Sequence, residues 1–168
     1  NSDLVATGAP SEAELVLLEP FRDQLAEEVF GEVFMPPVSD GSGNIRTGLR
    51  EAKALLEDAG WTIVNNVLTG PDGETMTFEI LLVQPGFERI VQPFARNLER
   101  LGVEVDIRIV DASQYERRME TFDFDMTVAN WGQSRSPGNE QRDFWTTASA
   151  DIEGSRNTLG LKNPVVDA

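Results

Sequence analysis

Between Asn130 and Glu140 the chain sets one large aromatic, Trp131, among Gly132, Gln133, Ser134, Arg135, Asn139 and Glu140. Gln133 and Asn139 each carry donors and an acceptor, Ser134 can serve as either, Arg135 presents fixed donors, and Glu140 only accepts. That inventory suits a ligand whose polar groups need both kinds of partner, and Arg135 suits a ligand carboxylate. The competing reading has these polar groups satisfying their own loop backbone and Arg135 in an exposed ion pair. An aromatic in such company reads as the rim of a ligand cleft, with Trp131 a platform for the ligand and not a core anchor. Further on, Gly154, Ser155 and Asn157 form either a second wall of that cleft or simply a turn.

Reactive chemistry has little to work with. The chain has no Cys and no His, which removes thiolate nucleophiles, Ser-His and Cys-His pairs, disulfides and the common zinc sites. Catalysis would fall to carboxylates, Tyr115, Lys53, Lys162 or an oxygen-bound metal. Asp123 and Asp125, two apart on one strand face, could in principle work as an acid/base pair, but a solvated face suits them better. No Gly-x-Ser-x-Gly nucleophile turn is present. Asp40, Ser42, Asn44 and Glu51 have calcium-loop spacing, yet the sixth position, which needs glycine, is Ile45; a plain turn is expected. A passive binding domain with no catalytic residue, metal or cofactor therefore leads. The alternatives are a carboxylate hydrolase using Asp123, Asp125 or Glu140, and a protein-interaction domain.

The balance of 14 Lys and Arg against 29 Asp and Glu, a net charge of −15, makes nucleic acid a poor partner, because counterion release needs positive charge on the protein. No apolar run has the length of a membrane span. At 168 residues one domain with a sizeable core is expected.

The elements that must hold the loop follow from periodicity. Ser11-Glu-Ala-Glu14 is a capping box opening a helix that Pro20 breaks or kinks. Residues 35 to 48 form a long loop. Leu49, Ala52, Leu55, Leu56 and Ala59 make an apolar stripe that Gly60 ends. Trp61, as core, begins a short hairpin around Asn65-Asn66, and Gly70-Pro-Asp-Gly73 is a turn. Residues 75–83 alternate as a strand. Residues 87–101 follow as a helix with Val91, Phe94, Ala95, Leu98 and Leu101 on one face, although Pro93 argues that its regular part begins late. Residues 103–110 alternate again. Ser113-Gln-Tyr-Glu116 looks like a second capping box for a helix to about Thr121. Residues 122–128 alternate once more, with Phe122, Phe124, Met126 and Val128 on one face. Strand, helix, strand, helix, strand is two βαβ units: an α/β lobe with a mixed, mostly parallel sheet flanked by helices. In such sheets ligands bind beyond the carboxyl ends of the strands, here Gln84-Pro-Gly86, Asp111 and Asn130-Trp131. Phe144 and Trp145 could anchor a short helix. The division expected is a helical and loop lead-in over 1–48, a βαβαβ core over 49–130 and ligand-side loops over 131–168.

With those residues in hand the chain resembles the extracellular solute-binding proteins of family 5, which deliver oligopeptides to ABC transporters, and more narrowly the branch associated with microcin C and related peptides. The segments that carry the resemblance are Glu19-Pro-Phe-Arg22, Asp40-Gly-Ser-Gly-Asn-Ile-Arg46, Ala54-Leu-Leu-Glu-Asp-Ala-Gly-Trp61, Leu101-Gly-Val103, Phe122-Asp-Phe-Asp-Met126, Trp131-Gly-Gln-Ser-Arg-Ser-Pro-Gly-Asn-Glu-Gln141 and Gly154-Ser-Arg-Asn157. The stretch after Trp131 is the specific one. The resemblance implies one lobe of a type II periplasmic-binding fold, a C-terminal lobe cut from a longer two-lobed chain, a periplasmic address, an oligopeptide or peptide-like ligand, and an inner-membrane ABC permease as partner. The first lobe of the same chain would close on this one. Many family members place an Asp three residues after such a Trp to hold the peptide amine. Ser134 stands there in this chain, and a serine lacks the charge; Glu140 or a group of the other lobe would have to replace it.

Overall fold

The computed structural model describes residues 7–38, 40–136 and 138–168; the loop-like reading of the first six residues lies outside them. Ser11 opens helix α1 (Glu12–Leu18), and its backbone amide donates to the Glu14 carboxylate at 2.7 Å while the Glu14 amide reaches the Ser11 hydroxyl, so the expected reciprocal box is formed. Pro20 then ends the α-helix, and the chain continues in tighter turns at Glu19–Gln24 and Glu27–Phe30. In the loop that follows, the Ser42 amide donates to Asp40 Oδ1 at 2.9 Å and the Arg46 amide to Asn44 Oδ1 at 3.2 Å. These side-chain oxygens serve the backbone, as in a plain turn.

Helix α2 (Arg46–Asp58) packs Leu49, Ala52 and Leu56 against Leu68, Leu101 and Val103. Leu55, expected on the same stripe, is 70% exposed. One residue is about 100° of helical rotation, enough to carry it past the arc through Leu49, Ala52 and Leu56. Gly60 takes φ 87°, and the Trp61 amide donates back to Leu56 O at 2.8 Å, which closes the helix as a Schellman motif. Trp61 is half-buried against the same cluster. Strands β1 (Thr62–Val64) and β2 (Val67–Thr69) pair antiparallel across Asn65 and Asn66. Both asparagines have positive φ, 52° and 66°, the two-residue geometry whose twist matches the strands. The hairpin is tied to the rest by the Leu68 amide, which donates to Gly102 O at 2.7 Å.

Beyond it lies a three-stranded parallel sheet. Strand β3 (Thr77–Leu82) is central, β4 (Glu104–Ile109) pairs with it from Thr77↔Glu104 to Leu82↔Ile109, and β5 (Met126–Thr127) pairs on its other side only at Ile80↔Met126 and Leu81↔Thr127. Helix α3 (Glu88–Glu99) joins β3 to β4, and α4 (Ala112–Glu120) joins β4 to β5. Because the second crossover returns past β3, the helices take opposite faces. Val91 of α3 packs on Ile80 and Leu82. On the other face Arg118 of α4 meets Glu79 Oε1 at 2.7 Å, and Tyr115 Oη lies 3.0 Å from Thr127 Oγ1. Leu81, between them, has no exposed surface.

Five expectations change. Helix α3 runs through Pro93. Pro93 and Arg89, whose carbonyl loses its helical donor, are both on the exposed side of the helix, while buried Val91 and Ala95 hold it down. Phe94 is 46% exposed and not on the core face. Helix α4 starts earlier than the Ser113 box would have it: Asp111 is the cap, its carboxylate accepting from the Gln114 amide at 3.0 Å. The strand expected over 122–128 is paired only at Met126 and Thr127. Phe122 turns the chain with φ 55°, and Asp125 Oδ2 accepts the Glu79 amide at 2.9 Å, so a side chain occupies the rung that a backbone carbonyl would have filled. The faces are also reversed there. Thr127 is half-buried and donates to Leu81 O at 3.0 Å, whereas Met126 and Val128 are 38% and 41% exposed, since α3 packs over β3 and β4 and leaves that side of β5 uncovered.

Candidate functional site

Strands β3 and β5 run parallel and finish side by side. A hollow of about 600 Å³ lies at their ends, bordered by Gln84, Phe87, Tyr115, Asn130 and Trp131. A second hollow of about 340 Å³ lies between α4 and the turn at 154–158, and a third of about 580 Å³ lies toward Phe122 and Leu159. Trp131 and Ala129 border all three. The segment leaving β5 is thus a wall common to the three hollows, and it lies at the carboxyl end of its strand, where parallel sheets place their ligands.

The indole of Trp131 is held from one side. It stacks on Trp145 with centroids 5.9 Å apart and planes 27° from parallel. Trp145 belongs to helix α5 (Glu140–Trp145) and is fixed in turn by its Nε1, which donates to Gln141 Oε1 at 3.0 Å, and by a tilted contact with Phe144 at 5.8 Å. Phe144 is buried, and the Arg156 guanidinium covers its ring at 4.1 Å. The outermost member, Trp131, is 37% exposed. A rigid aromatic with one face backed by protein and part of its surface open is a ready stacking platform.

The polar residues around it divide by role. Asn130, Gly132, Gln133, Ser134, Arg135 and Asn139 are all exposed, and Glu140 is half-buried. The Ser134 hydroxyl bonds the Ser136 carbonyl and lies 3.1 Å from Glu140 Oε1, which also accepts the Gly138 amide at 3.1 Å. Ser134 and Glu140 therefore fasten the loop to the start of α5, the backbone-serving alternative for Ser134. Asn139 precedes that helix without capping it through its side chain. Ser155 borders the second hollow, and its hydroxyl is buried with no hydrogen-bond partner among the described residues. Asn157, the other expected contact of the second wall, is fully buried. Its amide donates to Thr146 O and Leu161 O at 3.0 Å and accepts from the Leu161 amide at 2.9 Å. Of the two readings for 154–157, Asn157 takes the structural one: every group it has is committed to backbone.

The carboxylates are arranged for structure. Asp123 and Asp125 are both exposed, as on a solvated face; Asp123 also pairs with Arg118 at 2.9 Å and Asp125 accepts the Glu79 amide of β3. Glu140 is held below the usual carboxylate range by its own amide and that of Gly138, the opposite of what a general acid needs at neutral pH. Among the described residues no three acidic groups gather as a metal site would require, and no helix is long and apolar enough to cross a membrane. The lowered Glu140 value has a sign that can be checked. The loop fastening is complete above the pKa of a free glutamate and is lost as pH falls through the lower folded value. A carbon-13 titration of the Glu140 carboxyl should give a midpoint below that of glutamate in a short peptide; a midpoint at or above it would show that the carboxylate does not hold the loop.

Gln84 borders the surface at a strand end where the sequence expects a ligand, whereas nothing in the sequence singles out Trp145, Arg156 or Tyr115 as parts of it. Phe144-Trp145 carried the signal of a helix anchor, but the pairing of Trp131 with Trp145 joins a loop to a helix and leaves no periodicity to read.

The family model described as "Bacterial extracellular solute-binding proteins, family 5 Middle" matches residues 23–152. The chain is 42% identical over 168 residues to the probable peptide-binding protein YejA of Agrobacterium fabrum, covering 99% of this chain and 27% of that protein. It thus spans about a quarter of the length of the curated relatives it matches. Among solved structures, the oligopeptide-binding protein AppA of Bacillus subtilis, in complex with a nonapeptide, is 29% identical with a TM-score of 0.57, over 68% of this chain and 23% of that one. A periplasmic oligopeptide-binding protein of Thermotoga maritima shares the fold at a TM-score of 0.59 and 20% identity, over 71% of this chain and 24% of that one.

Proposed function

The chain belongs to the bacterial extracellular solute-binding proteins of family 5, and from that premise we propose that it is part of the substrate-binding component of an ABC transporter. In this reading the whole protein captures oligopeptides or peptide-like solutes in the periplasm and hands them to an inner-membrane permease, with no catalytic step. The chain supplies one lobe, its α/β core over 49–130 presenting the loops of 131–168. A second lobe of the same protein supplies the opposite wall and closes on the ligand.

The observation that carries this reading is the position of Trp131: backed by Trp145, partly open, and bordering each of the hollows at the ends of β3 and β5. The peptide lies along that indole. Asn130, Gln133 and Asn139 meet its main chain with donors and acceptors, Gly132 lets it approach closely, and Arg135 meets a carboxylate. Ser134 and Glu140 set the shape of the loop. The name of the Agrobacterium relative and the nonapeptide bound to AppA favour a peptide ligand. The net charge of −15 disfavours nucleic acid.

Calorimetry of the full-length protein with short peptides, followed by chromatography of the recovered ligand, tests this. Saturable binding with the peptide returned intact is expected. Cleaved peptide would favour the hydrolase reading. Indifference to every peptide would overturn the carrier reading.

A further inference from the structure

We infer that the hollow at the ends of β3 and β5 receives an uncharged, apolar side chain of the bound solute. The inference deepens the peptide-binding reading and rests on it. Three hollows share Trp131, and they differ in charge. The one between α4 and the turn at 154–158 is bordered by Glu116, Glu120 and Arg156, and the one toward Phe122 by Asp125 and Asp151. Among the described residues no Asp, Glu, Lys or Arg borders the hollow of about 600 Å³ at the strand ends, in a chain where these types make up 26% of the residues. Its wall is apolar instead. Val83, Phe87 and Tyr115 are half-buried, while Val128 and Trp131 are exposed, so each keeps surface that a guest can cover.

The polar groups at this hollow are few and uncharged. The Tyr115 hydroxyl lies 3.0 Å from Thr127 Oγ1, and Thr127 gives its own proton to Leu81 O at 3.0 Å. Tyr115 is therefore the donor of the pair, and neither hydroxyl keeps a proton for a guest. Gln84 and Asn130 border the hollow with side-chain amides, which can bond a peptide main chain but cannot neutralise a charge. A lysine or glutamate side chain placed here would give up hydration and find no counter-charge. An aliphatic or aromatic one would gain in proportion to the apolar area it removes from water. This selection runs against the field of the chain, whose net charge of −15 attracts lysine from a distance.

The test uses the full-length protein and sets of peptides of one length, in which each position in turn is norleucine, lysine or glutamate. Norleucine and lysine share an unbranched stem, so their difference isolates the ammonium. At one position norleucine should bind about tenfold more tightly than lysine, the scale of roughly two methylene groups removed from water, and more tightly than glutamate as well. Raised salt should leave the preference for norleucine over lysine in place, because charge pairing is not its source. Gln84 is exposed, and Gln84→Glu, which puts a carboxylate at the rim, should narrow the gap between norleucine and lysine at that position and leave the other positions unchanged. Equal affinity for norleucine and lysine at every position, or a norleucine preference that salt abolishes or that Gln84→Glu leaves unmoved, would overturn the inference and leave the carrier reading standing. Failure of all peptides to bind would overturn both.

Discussion

Replacing Gly102 with alanine is expected to destabilise the protein by about 3 kcal/mol or more, the range in which backbone displacement adds to a strained φ. Gly102 has φ 82°, and a Cβ built there would stand 2.6 Å from Leu68 N, 2.9 Å from Val67 C and 3.2 Å from Asn66 O. All three are backbone atoms of the β1–β2 hairpin, so no side chain can swing aside. The hairpin would have to move, breaking the 2.7 Å bond from the Leu68 amide to Gly102 O and lifting Leu68, which is 1% exposed, from its cluster with Leu101 and Val103. Gly73 supplies the control. Its φ is 84°, yet a Cβ there meets nothing within 4 Å, so Gly73→Ala should lose only the ~1 kcal/mol of a left-handed alanine. Urea denaturation of the two variants measures the difference; equal losses would show that the hairpin does not press on Gly102.

Trp131→Ala should weaken peptide binding by the full-length protein about 30-fold, corresponding to about 2 kcal/mol, the value of a well-placed aromatic contact. The same change should leave thermal stability nearly intact, because the ring is 37% exposed and is the outermost member of its stack. Phe144→Ala offers the contrast: that ring is 1% exposed, and about 3–5 kcal/mol should be lost from stability. Trp131→Phe should recover part of the affinity, since a smaller ring can still stack. Affinity for Trp131→Ala within twofold of the parent would remove the indole from the ligand surface.

The elements that sequence located well are those whose signal is local. The capping box at Ser11, the Asn65-Asn66 turn and the Gly60 stop each depend on a few neighbouring residues, and the alternation over 75–83 and 103–110 survives because β3 and β4 pair along their whole length. What misled was decided by distant partners. The 122–128 alternation is real in sequence, yet Asp125 takes the Glu79 amide across the sheet, and α3 leaves that side of β5 uncovered, so Met126 and Val128 face outward. Ser113 has the spacing of a cap, but Asp111 comes first and captures the Gln114 amide. At the site, the Trp131 loop was legible from composition, because an aromatic among amides and hydroxyls has few other uses. Its support was not: Trp145 and Arg156 are ordinary residues in sequence and become meaningful only as successive layers behind one indole. Asn157 shows the converse, a polar residue that reads as a contact and serves instead as an internal brace.

The seam between β3 and β5, paired at only Ile80↔Met126 and Leu81↔Thr127 while β3 and β4 are matched throughout, divides the sheet into unequal partners for solvent deuterium. The β4 amides that bond β3, beginning with Glu104, should exchange only through large openings, whereas those around Met126 should label through small, frequent ones. The segment bearing Trp131 is then expected to open without melting the lobe, and a guest that clamps it to slow isotope uptake at that seam alone; uptake around Met126 as slow as at Glu104 would show that the seam does not open by itself.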